Sequence, residues 1–258
     1  MFIDIHVHVC RIPGPPRSGR QAFATPEQLI ERYDEVGIEK GVLLPLVSPE
    51  FYEPQANEDI LEIAEQHPDR FIPFCNLDPR MDRNDATSDF SCLLKYYREA
   101  GCRGLGELTA NLPFDDPMVW NLFEHCQACS MPVLFHIGPR VGGCYGLVDD
   151  LHLPRLEATL RRFPDLVFIG HSQPFWSEIG PDVTEENRNT YPEGEVRPGG
   201  RVPELLQRYP NLYADLSARS GRNAISRDPD FGYAFMERFQ DRLLFGTDLT
   251  SVEEVVAA

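Results

Sequence analysis

The chain has 258 residues, of which 42% are hydrophobic, and it carries a formal net charge of −17. This length and apolar content suit a single domain spanning residues 1–258. The strong negative charge argues against nucleic acids and anionic membranes as partners, because their phosphate groups would be repelled. No apolar run approaches the roughly 18 residues of a membrane span, and no signal peptide precedes the first strand, so we expect a cytoplasmic protein that acts on a small molecule.

Apolar strands and amphipathic helices alternate along the chain. Strands that are buried on both faces read as continuous apolar runs, and eight occur, at 2–8, 41–47, 71–77, 102–108, 132–137, 166–171, 212–217 and 243–248. Helical patterns lie between them, at 25–37, 57–67, 88–100, 116–130, 153–163, 201–209 and 229–240. This alternation predicts a (β/α)8 TIM barrel of class α/β. Ten residues follow Asp248, so we expect the last helix to be missing or truncated, or a homo-oligomer whose partner subunit covers that surface.

Two histidines, His6 and His8, alternate on the first strand and therefore point to the same side. Such a pair is also found as an ordinary polar rim, but here apolar strands repeatedly end in a potential ligand. Four further residues end predicted strands in this way: Glu107, His136, His171 and Asp248. In a TIM barrel the carboxyl ends of all strands meet at one face, so these six residues are predicted to line one mouth. Imidazole and carboxylate ligands suit zinc first, and manganese, iron or cobalt next.

On these residues the chain resembles the amidohydrolase superfamily, and within it the amidohydrolase-2 group. The resemblance covers essentially the whole chain. It rests on the His6–His8 pair of strand one, the single histidines that end strands five and six, and Asp248 at the end of strand eight. The resemblance implies a metal-dependent hydrolase-type TIM barrel in which His6, His8 and Asp248 hold one ion.

The same resemblance implies that a strand-four carboxylate, here Glu107, can bridge to a second ion held by His136 and His171. The decarboxylases and hydratases of the amidohydrolase-2 group generally use one metal ion, without an acid from that strand. Glu107 therefore favours a hydrolase that uses metal-activated water to cleave a small amide, ester or lactone. Two alternatives stay open: Glu107 can be a buried acid outside the ligand set, and the enzyme can be a one-metal lyase of an aromatic or unsaturated carboxylic acid, either a decarboxylase or a hydratase.

Asp248 and His171 are the predicted catalytic residues. A metal ion lowers the pKa of bound water to about 7, and Asp248 can accept the water proton and pass it to a leaving group. His171 would help bind a second ion or, with one ion, hold the water or protonate the substrate. Two other classes fit less well, because a silent metal-binding scaffold would show gaps in the ligand set and a nuclease would carry a basic groove.

Four residues near predicted strand ends are candidates for substrate binding. Arg140 and Arg219 follow strands five and seven, where arginines commonly clamp carboxylates, although for each arginine alone a surface ion pair is the more common explanation. Tyr145 and Trp176 could form a stacking wall. We therefore expect the substrate to carry a carboxylate. Asp215, on strand seven, is expected to belong to the barrel interior without a catalytic role.

Overall fold

A computed structural model, which describes residues 2–16 and 19–251, shows the strands and helices alternating around a barrel. Eight parallel strands form its wall: β1 (Ile3–Val7), β2 (Lys40–Leu43), β3 (Phe71–Pro73), β4 (Leu105–Leu108), β5 (Val133–Gly138), β7 (Phe168–His171), β8 (Leu212–Asp215) and β9 (Leu243–Leu244). A short strand, β6 (Leu147–Val148), pairs with β5 outside this order.

Main-chain hydrogen bonds close the barrel at two junctions. The strands pair in the orders β1-β2-β3 and β4-β5-β7-β8-β9. The amide of Gly106 donates to the carbonyl of Cys75 at 2.9 Å, which joins the β3 end to β4. The amide of Ile5 donates to the carbonyl of Phe245 at 2.9 Å, which joins β1 to the β9 end. The predicted (β/α)8 architecture is confirmed.

Nine helices lie within the described ranges: α1 (Pro26–Val36), α2 (Asn57–Gln66), α3 (Ser91–Glu99), α4 (Pro117–Ala128), α5 (Pro154–Arg162), α6 (Gln173–Ser177), α7 (Arg201–Arg208), α8 (Ala218–Ser226) and α9 (Pro229–Phe239). The first begins where the sequence predicts, because Thr25 and Gln28 form a capping box around Pro26. It ends at Gly37, whose φ of 77° suits a residue without a side chain.

Two helices and one strand escape the sequence pattern. Helix α8 buries only the small residues Ser220, Gly221 and Ala224. It therefore lacks the stripe of large apolar residues by which a helix is recognised in a sequence. Helix α6 has five residues and β6 has two, too few to establish a period. All three follow barrel strands directly, and they pack onto the carboxyl face of the barrel through tertiary contacts.

The core has an inner and an outer layer. Inside the barrel, apolar side chains from β2, β3, β5 and β7 or their ends meet at Val42, Leu44, Phe74, Leu134 and Ile169. A larger outer layer fills the space between strands and helices and includes many of the buried phenylalanines. The prediction about a final helix falls on residues 252–258, which lie outside the described residues. In the part of the chain that is described, no helix is long and apolar enough to cross a membrane.

Candidate metal centre

Three side chains from the two ends of the chain converge above β1. His6 lies near the end of β1, His8 follows it, and Asp248 follows β9. The Nε2 atoms of His6 and His8 are 3.0 Å apart, and Asp248 Oδ1 lies 3.4 Å and 3.5 Å from them. Ligands bound tetrahedrally to one ion at about 2.0–2.1 Å are separated by about 3.3–3.4 Å. The three atoms therefore have the spacing of a ligand set.

The hydrogen bonds of the two histidines show why this place suits a cation. His8 Nδ1 lies 2.7 Å from the carbonyl of Leu44, which can only accept, so this nitrogen carries a proton. His6 Nδ1 donates in the same way to Asp215 Oδ2 at 2.6 Å. Because each Nδ1 donates a hydrogen bond, the two Nε2 atoms, 3.0 Å apart, are the ring atoms left to bind a cation. The residues present therefore fit a metal ion.

Glu107, near the end of β4, lies between two groups of histidines. Its Oε2 is 3.7 Å from His6 Nε2 and 3.5 Å from His8 Nε2. Its Oε1 accepts a hydrogen bond from His136 Nδ1 at 2.7 Å. Burial raises the pKa of Glu107, but its interactions with His6 and His136 outweigh burial and hold it well below its usual value. Glu107 is therefore an ionised carboxylate that can complete the first ligand set.

The predicted second ion has a less regular set of candidate ligands. His171 Nε2 is 4.0 Å from Glu107 Oε1, whereas the 2.7 Å between His136 Nδ1 and Glu107 is a hydrogen bond rather than a separation between two ligands. Burial lowers the pKa of His136, which favours the neutral ring. Its other nitrogen is left for the cavity that His136 lines. A second ion here stays a prediction.

Asp215, to which the sequence assigned no role, contacts two of the candidate ligands. It ends β8 inside the barrel and is fully buried. Its Oδ2 lies 2.6 Å from His6 Nδ1 and 3.2 Å from His171 Nδ1, and Ser217 Oγ lies 3.0 Å from the same nitrogen of His171. These are hydrogen bonds, so Asp215 orients both rings and leaves their Nε2 atoms for the centre. The available signal was its position at a strand end, which it shares with the candidate ligands.

Three carboxylates make a positive charge favourable at the centre. Burial lowers the pKa of His6, but Asp248, Asp215 and Glu107 together raise it well above its ordinary value. Burial and the neighbouring His6 lower the pKa of His171, but hydrogen bonds with Asp215 and Asp248 raise it to about 9. A bound cation would supply the charge that this field favours.

A cavity of about 530 Å³ opens beside the centre and includes His136 in its wall. Tyr145 forms part of this wall. Its ring lies 4.6 Å from that of His136 and 4.6 Å from that of Phe51. Arg140 is exposed on the same loop as Tyr145. Both positions remain compatible with substrate binding.

Trp176 does not lie in the mouth, which corrects the predicted stacking wall. It is 2% exposed, its ring packs against Phe175 and Phe235, and its indole N–H donates to the backbone carbonyl of Asp215. Helix α6 directs this side chain into the hydrophobic core. Trp176 thus holds the strand that carries Asp215.

Arg219 is exposed at the rim, where its guanidinium lies 4.2 Å above the ring of Tyr191. The hydroxyl of Tyr191 accepts a hydrogen bond from Gln173 Nε2 at 3.1 Å, and Gln173 lines the cavity. Through these contacts Arg219 lies close to the cavity. Among the described residues it forms no ion pair that would hold it away from the cavity. Its predicted role in substrate binding stays a prediction.

The sequence matches the model of the amidohydrolase family over residues 3–250. The chain belongs to the amidohydrolase family. A comparison of this chain with curated proteins gave no match.

Three solved structures illustrate the likeness in fold. An uncharacterised TIM-barrel protein from Bordetella bronchiseptica is 18% identical with a TM-score of 0.62, covering 99% of this chain and 89% of its own. A probable 2-pyrone-4,6-dicarboxylic acid hydrolase from Acinetobacter baumannii, with citric acid bound, is 16% identical with a TM-score of 0.58, covering 99% and 90%. A 5-carboxyvanillate decarboxylase from Novosphingobium aromaticivorans, complexed with manganese and 4-hydroxy-3-methoxy-5-nitrobenzoic acid, is 19% identical with a TM-score of 0.52, covering 89% and 72%. At these identities the likeness establishes the shared fold.

The contacts of Asp215 with His6 and His171 predict an effect on metal binding. Asp215→Asn replaces a carboxylate that accepts from two histidines with an amide whose nitrogen can only donate. We expect the affinity for Zn²⁺, measured by competition with a chelator, to fall about 10–100-fold while the fold is kept. The matched control is Asp149→Asn, because Asp149 is equally buried but bonds the first amides of α5. An equal loss of affinity in both variants would contradict the assignment.

Proposed function

We propose that this amidohydrolase is a metal-dependent hydrolase that cleaves a small amide, ester or lactone carrying a carboxylate. The observation that supports it best is the placement of Asp248. Its Oδ1 lies with the Nε2 atoms of the histidine pair, and its Oδ2 lies 3.5 Å from His171 Nε2. One oxygen can therefore bind an ion while the other exchanges a proton with His171.

The ion would be held by His6, His8 and Asp248, with Glu107 as a fourth ligand. Nitrogen and carboxylate ligands suit Zn²⁺ first, while Mn²⁺, Fe²⁺ and Co²⁺ are compatible with the same donors. When bound, such an ion lowers the pKa of a water molecule to about 7 and polarises a carbonyl group. Whether a second ion joins through His136 and His171 follows from the metal content of the purified protein.

The residues of the chain supply the proton transfers. Asp248 accepts the proton of the attacking water and returns it to the leaving group, and His171 shares that proton. Asp215 and Ser217 fix the ring of His171 from its far side. Because these side chains are held by packing and hydrogen bonds, they need little rearrangement during the reaction.

The substrate would enter through the cavity beside His136. A protein with a net charge of −17 repels anions in general, so an anionic substrate needs local cations. The exposed Arg140 and Arg219 are the candidates for that role. Tyr145 would cover one side of a flat substrate. The Acinetobacter protein is a probable hydrolase of a lactone with two carboxylates, which is the kind of compound proposed here.

A one-metal lyase is the second candidate, and it is favoured by one specific observation. The ring of Tyr145 lies between those of Phe51 and His136, at centroid separations of 4.6 Å. Such a wall suits a planar aromatic or unsaturated acid. The Novosphingobium protein is a decarboxylase of that kind. In this alternative a neutral His136 would face the substrate and donate or accept the proton.

The experiment that separates the two uses purified protein loaded with Zn²⁺ or Mn²⁺. It is offered 2-pyrone-4,6-dicarboxylate, a panel of carboxylated esters, lactones and amides, and 2,6-dihydroxybenzoate. Hydrolysis incorporates ¹⁸O from labelled water into the product without release of CO₂, and two tightly bound ions per chain would favour it further. Release of CO₂ from an aromatic acid, without turnover of the other compounds, would replace the hydrolase with the lyase. Chelator-treated protein is the control.

A further inference from the structure

We propose that Asn111 is a positioning residue that holds one wall of the cavity over the metal centre. The wall is the rim loop, residues 139–146 between β5 and β6, which carries Tyr145. The proposal rests on the proposed function in one respect, that this cavity receives the substrate. Asn111 itself follows β4 and does not line the cavity.

The side chain of Asn111 contacts the rim loop at four points, one of which is the thiol of Cys144, whose Sγ lies 3.6 Å from Asn111 Nδ2. Its Nδ2 donates to the carbonyl of Arg140 at 3.0 Å and to that of Gly146 at 3.2 Å. Its Oδ1 accepts from the amide of Gly142. The residue is 8% exposed, so water does not compete for these bonds. One amide side chain thus ties the beginning, the middle and the end of the loop together.

The end of the rim loop is seated directly on a residue of the centre. The amide of Gly146 donates to the carbonyl of Thr109 at 2.7 Å. A Cβ at Gly146 would lie 2.8 Å from Cδ2 of His136, and the φ of +102° is one that other residues rarely adopt. A glycine is therefore required for the loop to approach His136 this closely. A shift of the loop would move Tyr145 away from that ring.

Asn111 also joins the rim loop to the loop that follows β2. Its own amide donates to Glu50 Oε1 at 3.3 Å. Both oxygens of Glu50 are held by the guanidinium of Arg80, at 2.8 Å and 2.9 Å. Phe51, next to Glu50, packs against Tyr145. Two walls of the cavity thus meet at Asn111, which suits a residue that fixes the width of the cavity.

Cys144 provides a direct reporter of the loop. Its thiol is half-buried, lines the cavity and donates to the carbonyl of Arg140 at 3.0 Å. Five of the other cysteines are buried and Cys92 is exposed. In a Cys92→Ser background, Cys144 is therefore the accessible thiol, and its rate of alkylation by iodoacetamide measures how firmly the rim loop and Asn111 hold that thiol.

The test compares Asn111→Ser and Asn111→Asp with their parent in that background. Serine removes the donors without adding charge, whereas aspartate keeps the acceptor for Gly142 but sets a carboxylate against the carbonyls of Arg140 and Gly146. Because the bonds to both carbonyls and the contact with Cys144 Sγ are lost, we expect alkylation of Cys144 to accelerate about tenfold or more in the uncharged Asn111→Ser variant. In Asn111→Asp the carboxylate beside the thiol disfavours the reactive thiolate and offsets part of that rise. We also expect KM for the substrate found in the panel to change more than kcat, with unchanged metal content.

The matched control is Asn211→Asp at the opposite end of the barrel. Asn211 is 7% exposed, and its Nδ2 donates to the carbonyls of Leu160, Phe163 and Leu166. It should leave the alkylation rate unchanged. An unaltered rate in the Asn111 variants, or an equal rise in the Asn211 variant, would overturn the proposal. The thiol reaction needs neither metal nor turnover, so a failed hydrolase assignment would show in the activity panel and not in this measurement.

Discussion

Replacing Asp248 with Asn is expected to lower kcat of the metal-loaded enzyme by about 10²–10⁴-fold, the usual contribution of a general acid–base group. The amide keeps the size of the side chain and one oxygen for the ion. In the parent, Oδ2 lies 3.5 Å from His171 Nε2 and can accept a proton. In the variant an amide nitrogen takes that place, and an amide nitrogen cannot accept a proton. The measurement is steady-state turnover, with the circular dichroism spectrum as the check on folding.

Weakened metal binding could imitate this loss, so the comparison is made with the ion at saturation. The metal content of the protein is determined in the same samples. A variant that is fully metallated and works at the parent rate would contradict the role of Asp248. The proton acceptor would then be His171, whose Nδ1 is already fixed by Asp215 and Ser217.

The second large effect is expected from His6→Ala. Removing this ring takes away one ligand and leaves Asp215 buried without the partner that lies 2.6 Å from it. After dialysis against a chelator and reloading with one equivalent of Zn²⁺, we expect the bound metal to fall from stoichiometric to trace levels. A metal at 1,000 times its Kd stabilises the fold by about 4 kcal/mol, so the rise in Tm on adding Zn²⁺ should also disappear.

His125→Ala is the matched control for the histidine variant. His125 lies on α4 and bonds the hydroxyl of Ser91, with no contact to the candidate ligands among the described residues. This variant should keep both its metal and the increase in Tm. Full metal content in His6→Ala after dialysis would show that the ion is held by other residues.

The eight strands and the six strand-end residues could be read from the sequence because each depends on local pattern. Apolar runs mark strands that are buried on both faces, and a barrel brings their carboxyl ends together whatever the loops do. The convergence of His6, His8 and Asp248 follows from that geometry alone. Strand register and loop lengths then set distances that no local pattern contains.

The residues that the sequence missed or misplaced depend on tertiary contacts. Asp215 resembles any buried aspartate until His6 and His171 are placed on either side of it. Trp176 follows a strand end as a substrate-binding residue would, but the turn of α6 directs its ring into the core. Asn111 bonds a loop about 30 residues away in the chain, which composition and periodicity cannot reveal.

The position of the metal centre at the junction between β1 and β9 links metal binding to the stability of the barrel. His6 and Asp248 come from opposite ends of the chain, and the amide of Asp248 donates to the carbonyl of His6 at 2.8 Å. An ion held by both side chains would act as a reversible cross-link that closes the segment from His6 to Asp248 into a loop. The chain-entropy relation for cross-links assigns about 5 kcal/mol to a covalent link that closes so long a loop. Loss of the ion would thus weaken the junction between β1 and β9, and these two strands would separate before the others.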